Sequence, residues 1–300
     1  MDGLNNRNSS PRLADLAQLV RLPAALSVPG DVLAGAAAGV GTTPPPRILG
    51  TIASSIALYW AGMALNDYAD ATVDAVERPQ RPVPSGRVER RTALATACGL
   101  TAAGLGLAAL TGGRRALGTA LPLTGLVWAY DLGLKSTPAG PAAMAGARTL
   151  NVLSGAQPGH RVAALPAALL VGAHTYTVTA LSRHEVSGAP REVPAATLAG
   201  STATALAAAA LPGIRKRGGT ARTGAAVGAL AYLASYGTAQ VRAAREPSAT
   251  NVRNAVGTGI MSLMPLQAAL TAGGGKAGLA GVLAAAHPLA RRLARKVSPT

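Results

Sequence analysis

Asp67, Asp70 and Asp74 are the residues of this chain whose type and spacing most directly imply chemistry. They close a long apolar segment, and Arg78, Arg81, Arg87, Arg90 and Arg91 follow them. In a helix the i, i+3, i+7 spacing puts all three carboxylates on one face. Two carboxylates about 6 Å apart repel by roughly 3 kcal/mol at an effective dielectric near 20. Such a row at a membrane edge calls for a bound cation, and a hard divalent ion with oxygen ligands is the simplest partner.

The surrounding chain is that of a membrane protein. Of 300 residues 49% are hydrophobic and 13% charged, a composition far from that of a soluble domain. Phe is absent and Ala and Gly dominate, so helix contacts are expected to rest on small residues. Cys98 is the single cysteine, which excludes an internal disulfide and a cysteine metal cluster. The net charge of +16 is spread between apolar runs without aromatic platforms, which argues against nucleic acid as a partner. The polar first twenty-one residues are followed by an apolar run without a clear cleavage site, which reads as an uncleaved first helix.

A span takes about 20 apolar residues. Nine candidates lie near 22–41, 48–65, 92–111, 116–130, 140–157, 163–182, 194–212, 222–243 and 252–272. The expected architecture is an all-α integral membrane bundle of about nine transmembrane helices around a central cavity. A polar segment at 1–21 precedes the domain at 22–272, and a short helix and basic tail occupy 273–300. The stretch 276–290 contains Pro288 and reads either as an interfacial helix or as a tenth crossing.

The loops alternate in character. Basic residues favour the side that carries the aspartates, in the sense of the positive-inside rule. Only Asp31 among the acidic residues falls inside a candidate span; the others map to the aspartate side or to helix ends facing it. One face therefore carries both signs of charge, as a site for a metal and an anion would.

From Asn66 to Arg87 the chain reads N-D-x-x-D-x-x-x-D-x-x-E-R-P-Q-R-P-V-P-S-G-R. This resembles the first signature of the UbiA superfamily, intramembrane prenyltransferases that move an isoprenoid from its diphosphate to an acceptor. Nine helices with the motif after the second are similar to that family too, over about residues 12–272. The resemblance implies that Asp67, Asp70 and Asp74 hold Mg²⁺ bridging a diphosphate, with Asn66 assisting. Arg78, Arg81 and Arg87 would grip diphosphate oxygens, for which the guanidinium fork is suited; the plainer reading of each is positive-inside topology. Pro79, Pro82 and Pro84 stiffen the loop and Ser85-Gly86 reads as a turn.

Tyr130-Asp131-Leu132-Gly133-Leu134-Lys135 resembles the family's Y-D-x-x-L-K element. Lys135 is then a diphosphate contact, with Asp131 orienting it or a basic residue of the first loop. Arg148 and Asn151 share a face within the fifth span. A guanidinium in hydrocarbon normally faces a polar cavity, so the pair is read as pointing toward the diphosphate, the alternative being a structural interhelical bond. Leu181-Ser182-Arg183-His184-Glu185-Val186 stands where the family has a second aspartate-rich motif and departs from it. Glu185 is its only carboxylate and is the candidate ligand of a second Mg²⁺, while Arg183 and His184 are candidates to take diphosphate charge. His174, Tyr176 and Thr179 are weaker candidates for a polar face of the sixth helix.

The activity implied is Mg²⁺-dependent transfer of a prenyl group from its diphosphate to an aromatic or other lipophilic or small-molecule acceptor, in the cell membrane with the site loops cytoplasmic. The competing readings are a membrane transporter and a catalytically inactive scaffold.

Overall fold

The computed structural model describes residues 12–39 and 43–297. The first eleven residues of the polar N-terminal segment, the end of the first candidate span and residues 298–300 lie outside them. The described residues are helical without a strand. In chain order the helices are α1 (Leu13–Leu19), α2 (Val28–Ala38), α3 (Pro45–Ala69), α4 (Ala71–Glu77), α5 (Arg90–Leu132), α6 (Gly140–Gly155), α7 (Arg161–Ser182), α8 (Glu192–Ile214), α9 (Gly219–Tyr232), α10 (Thr238–Arg245), α11 (Ala249–Gly273) and α12 (Ala277–Val297). Five of them, α3, α5, α7, α8 and α11, are long and apolar enough to cross a membrane.

Two of the expected spans meet at a sharp break inside α5. α5 runs through both 92–111 and 116–130 and is broken at Gly113, whose φ of 59° and ψ of −154° are open to glycine and strained for other residues. Arg114 and Arg115 follow this kink. The eighth candidate is likewise divided, with a π-helical turn over Leu233–Gly237 between α9 and α10. α12 takes in the stretch 276–290 from its second residue onward and packs Ala280, Leu283 and Ala290 inward while Leu279, Val282 and Leu289 stay exposed.

Small residues set the helix spacing. A Cβ at Gly35 of α2 would fall 1.8 Å from the Val152 carbonyl oxygen of α6, and one at Gly155 of α6 would fall 2.0 Å from that of Val32. Backbone meets backbone at this crossing, as in small-residue packing between transmembrane helices. The main core is built from Ala, Val and Leu with Tyr232 and Tyr236. His174 lies in it, its Nδ1 3.0 Å from the Tyr232 hydroxyl. Tyr176 is 48% exposed, so His174 and Tyr176 do not share a polar face as expected.

Side-chain bridges gather the loops at two ends. At one end Arg87 meets Asp15, Lys135 meets Asp70, and Arg253 donates to the Glu185 carbonyl. At the other, Arg161 donates to the Arg115 carbonyl, and Arg215 donates to those of Ala38 and Ala163. The Arg215 bond to Ala38 satisfies a terminal carbonyl of α2, as basic residues do at helix ends.

Candidate active site

The three aspartates do not form one row. α3 ends at Ala69 and α4 begins at Ala71, with Asp70 at the joint (φ −87°, ψ 6°). The backbone bonds from Asp70 N to the Asn66 carbonyl and from Asp74 N to that of Asp70 still link the two helices. The effect is to divide the carboxylates. Asp67 and Asp74 turn inward, each 2% exposed, whereas Asp70 turns toward Lys135 in the loop between α5 and α6.

Every one of the three carboxylates meets a cation, and one cation is shared. Arg81 Nη1 lies 2.5 Å from Asp74 Oδ2 and 3.6 Å from Asp67 Oδ1, so one guanidinium joins both buried acids. Arg21 Nη2 stands 3.1 Å from Asp67 Oδ1. Lys135 Nζ is 2.6 Å from Asp70 Oδ1. Asn66 is the hub between them: its amide nitrogen is 3.1 Å from both Asp70 Oδ2 and Asp131 Oδ1, and its oxygen is 3.4 Å from Arg21 Nη2. Asp131 thus orients Asn66. Burial pulls Arg81 below the usual guanidinium range, with Arg21 acting in the same sense and Asp67 and Asp74 opposing.

The remaining first-loop residues take different places. Arg78 is 3.8 Å from Asp74 and its charge also reaches Glu185, so it stands between the first motif and the end of α7. Arg87 points away from the aspartates. It binds Asp15 (2.8 Å), Gln18 (2.7 Å) and the Gln80 carbonyl (2.7 Å), pinning α1 onto the motif loop. Ser85 and Gly86 form the expected turn, with Gly86 at φ 75°.

At the second motif, burial raises the carboxyl of Glu185 above its ordinary range, while Arg78 and Arg253 pull it back. Arg183 Nη1 donates to the Thr137 carbonyl at 2.5 Å, tying the end of α7 to the loop that carries Lys135. Tyr130 lies one residue before Asp131 near the end of α5, and His184 lies half-buried in the turn after α7.

Arg148 and Asn151 are not with the aspartates. Arg148 Nη1 lies 2.6 Å from Asp31 Oδ2, Asn151 Nδ2 lies 2.8 Å from the same oxygen, and Gln267 Nε2 lies 2.6 Å from Asp31 Oδ1. Asp31 is fully buried, and three helices, α2, α6 and α11, meet on it. The Arg148 guanidinium also lies 5.6 Å from the Tyr59 ring centroid. Tyr59 is eight residues before Asp67 on α3, so this network sits roughly 12 Å deeper along that helix.

Arg21, Asp31 and Gln267 are the residues that motif reasoning missed. Asp31 carried a signal: it and Arg148 are lone opposite charges within spans, and such charges need partners. Arg21 carried none beyond its place just before the first apolar run.

Carboxylate oxygens are the donor type that a hard divalent ion takes. Among the described residues no three His, Cys, Asp or Glu side chains stand together in a metal-ligating arrangement. The reason is visible in the ion pairs, because arginine and lysine occupy the oxygens.

The UbiA prenyltransferase family model matches residues 31–250. The digeranylgeranylglyceryl phosphate synthase of Methanopyrus kandleri is 41% identical over 111 residues, which is 37% of this chain and 38% of that protein. The chain thus matches less than half the length of this relative. A solved structure concerned with digeranylgeranylglyceryl phosphate synthase in membranes superposes with a TM-score of 0.65 at 15% identity, covering 87% of this chain and 98% of the other. A UbiA homologue from Archaeoglobus fulgidus bound to GPP and Mg²⁺ gives a TM-score of 0.50 at 17% identity over 65% of this chain and 76% of its own. With its long apolar helices this chain is an integral membrane protein, and over residues 31–250 it belongs to the UbiA prenyltransferase family.

Proposed function

We propose that the protein transfers a prenyl group from its diphosphate to a lipophilic or small-molecule acceptor, releasing diphosphate. The observation that carries this reading is the meeting of Asp67, Asp70 and Asp74 with Arg21, Arg78, Arg81 and Lys135 at one end of an apolar bundle. The A. fulgidus homologue bound to GPP and Mg²⁺ supports it. The name carried by the M. kandleri relative nominates a glyceryl phosphate lipid as the first acceptor to assay.

Asp67, Asp70 and Asp74 would hold Mg²⁺, with Glu185 as the candidate for a second ion. When bound, Mg²⁺ supplies positive charge that stabilises the diphosphate as it leaves. The chain's own groups act alongside it. Arg81, Arg21 and Lys135 would donate to diphosphate oxygens, where charge develops in the transition state. Arg78 is placed to do so from between the two motifs, with Arg183 and His184 at the rim. Asn66 holds Asp70 and Asp131 in register. The prenyl tail runs into the Ala- and Gly-lined interior around nine crossings and a central cavity, whose dryness protects the allylic carbon from water. The site face is cytoplasmic in a cell membrane, as its basic loops favour.

The test is turnover by purified protein in detergent, given a prenyl diphosphate and a panel of acceptors. Diphosphate release should require Mg²⁺ and vanish in Asp70→Ala. Release that ignores a chelator and that substitution would overturn the site. Uptake of an unchanged solute into vesicles would point to a transporter, and no turnover with any acceptor would point to a scaffold.

A further inference from the structure

The back of the motif carries a second feature that the reaction does not use. Tyr68 lies between Asp67 and Asp70, and α5 begins beside it. Arg90 Nε donates to the Tyr68 carbonyl at 3.0 Å, and its guanidinium carbon lies 4.6 Å from the Tyr68 ring centroid. Arg90 is thereby fixed in place. Its neighbour Arg91 is exposed and makes no hydrogen bond or ion pair among the described residues. Leu94, Ala95 and Cys98 follow Arg91 at i+3, i+4 and i+7, the spacing of one helix face. With Tyr68 and the two arginines they line an open groove of about 560 Å³. A Cβ at Gly99 beside it would meet nothing within 4 Å.

The chemistry of the groove changes along its length. Its upper end holds two guanidinium groups and an aromatic ring at the start of a membrane span, which is headgroup depth. Its other end, formed by Leu94, Ala95 and Cys98, is apolar and lies within the span. Guanidinium pairs bind phosphate oxygens, and an apolar open face within the span accepts a hydrocarbon chain. Glu89, which precedes Arg90, is exposed, and no acidic residue lines the groove. We propose that this groove binds an anionic phospholipid, its phosphate between Arg90 and Arg91 and one acyl chain along Leu94, Ala95 and Cys98. The site lies outside the prenyl-transfer machinery and stands whether or not that reading holds.

Cys98 is the only thiol of the chain and is exposed in the groove, so it reports occupancy directly. The full chain is placed in phosphatidylcholine nanodiscs and the rate of Cys98 alkylation by N-ethylmaleimide is followed by intact mass. Replacing part of the lipid with phosphatidylglycerol is expected to slow alkylation saturably. Arg91→Gln should raise the phosphatidylglycerol fraction needed by about fivefold, the effect of one basic residue near an anionic surface. Arg91→Lys should restore most of it. Arg91 is exposed, and an unchanged melting temperature confirms that each variant is folded. Alkylation that does not respond to phosphatidylglycerol, or slowing that persists unchanged in Arg91→Gln, overturns the proposal. Slowing by inorganic phosphate alone in phosphatidylcholine discs also overturns it, in favour of a free-anion site.

Discussion

Arg21 Nη2 lies 3.1 Å from Asp67 Oδ1, joining residues 46 positions apart in the chain. Arg21 has a left-handed backbone, φ 48° and ψ 56°, a conformation that carries strain in a non-glycine residue. In this conformation its guanidinium meets the first aspartate. Arg21 is therefore predicted to serve diphosphate binding. Arg21→Ala should lower kcat/KM by about 10- to 100-fold, the range of one charge-assisted hydrogen bond, and Arg21→Lys should recover part of it. Steady-state kinetics with a prenyl diphosphate provide the measurement.

Asp70 and Lys135 should separate by their metal dependence. Lys135→Ala removes a donor to the leaving group and is expected to lower kcat by about 10²-fold while Mg²⁺ is still required at a similar concentration. Asp70→Asn should raise the Mg²⁺ concentration giving half-maximal rate by tenfold or more. Magnesium titrations of both variants decide this, and an unchanged titration in Asp70→Asn would remove Asp70 from the metal site.

The Asp31–Arg148 pair should behave as a clamp on the bundle. Removing one partner of a buried pair leaves an uncompensated charge and costs about 3–5 kcal/mol. Arg148→Leu is thus expected to lower the melting temperature in detergent clearly. Asp31→Leu combined with Arg148→Leu should be milder than the sum of the single changes, the mark of coupling in a double-mutant cycle.

The crossing of α2 and α6 should tolerate no side chain. Gly155→Val would drive atoms into the Val32 carbonyl and is predicted to cost about 3 kcal/mol, with loss of monodisperse protein on gel filtration. Gly125→Ala meets nothing within 4 Å and should change stability by less than about 0.5 kcal/mol.

Much of this protein is legible along the chain because its signals are local. Apolar runs of spanning length mark the helices, and the Asn66–Arg87 stretch carries the resemblance to the family whose model matches residues 31–250. The acidic loop residues gather on one face together with basic ones, and the ion pairs Arg87–Asp15 and Lys135–Asp70 join such loops in space. Even the kink at Gly113 falls where the third candidate span gives way to the fourth.

Partner choice is not local, and the tertiary structure alone decided it. The i, i+3, i+7 spacing puts Asp67, Asp70 and Asp74 on one face only while the helix is unbroken, and the joint at Asp70 divides them between Arg81 and Lys135. Arg148 suits a diphosphate by type, yet it closes on Asp31 because Gly35 and Gly155 let α2 and α6 approach to backbone contact. Residue types and spacing determined which chemistry this chain can hold. Which cation meets which carboxylate depends on distances between helices far apart in sequence, and those exist only once the bundle has packed.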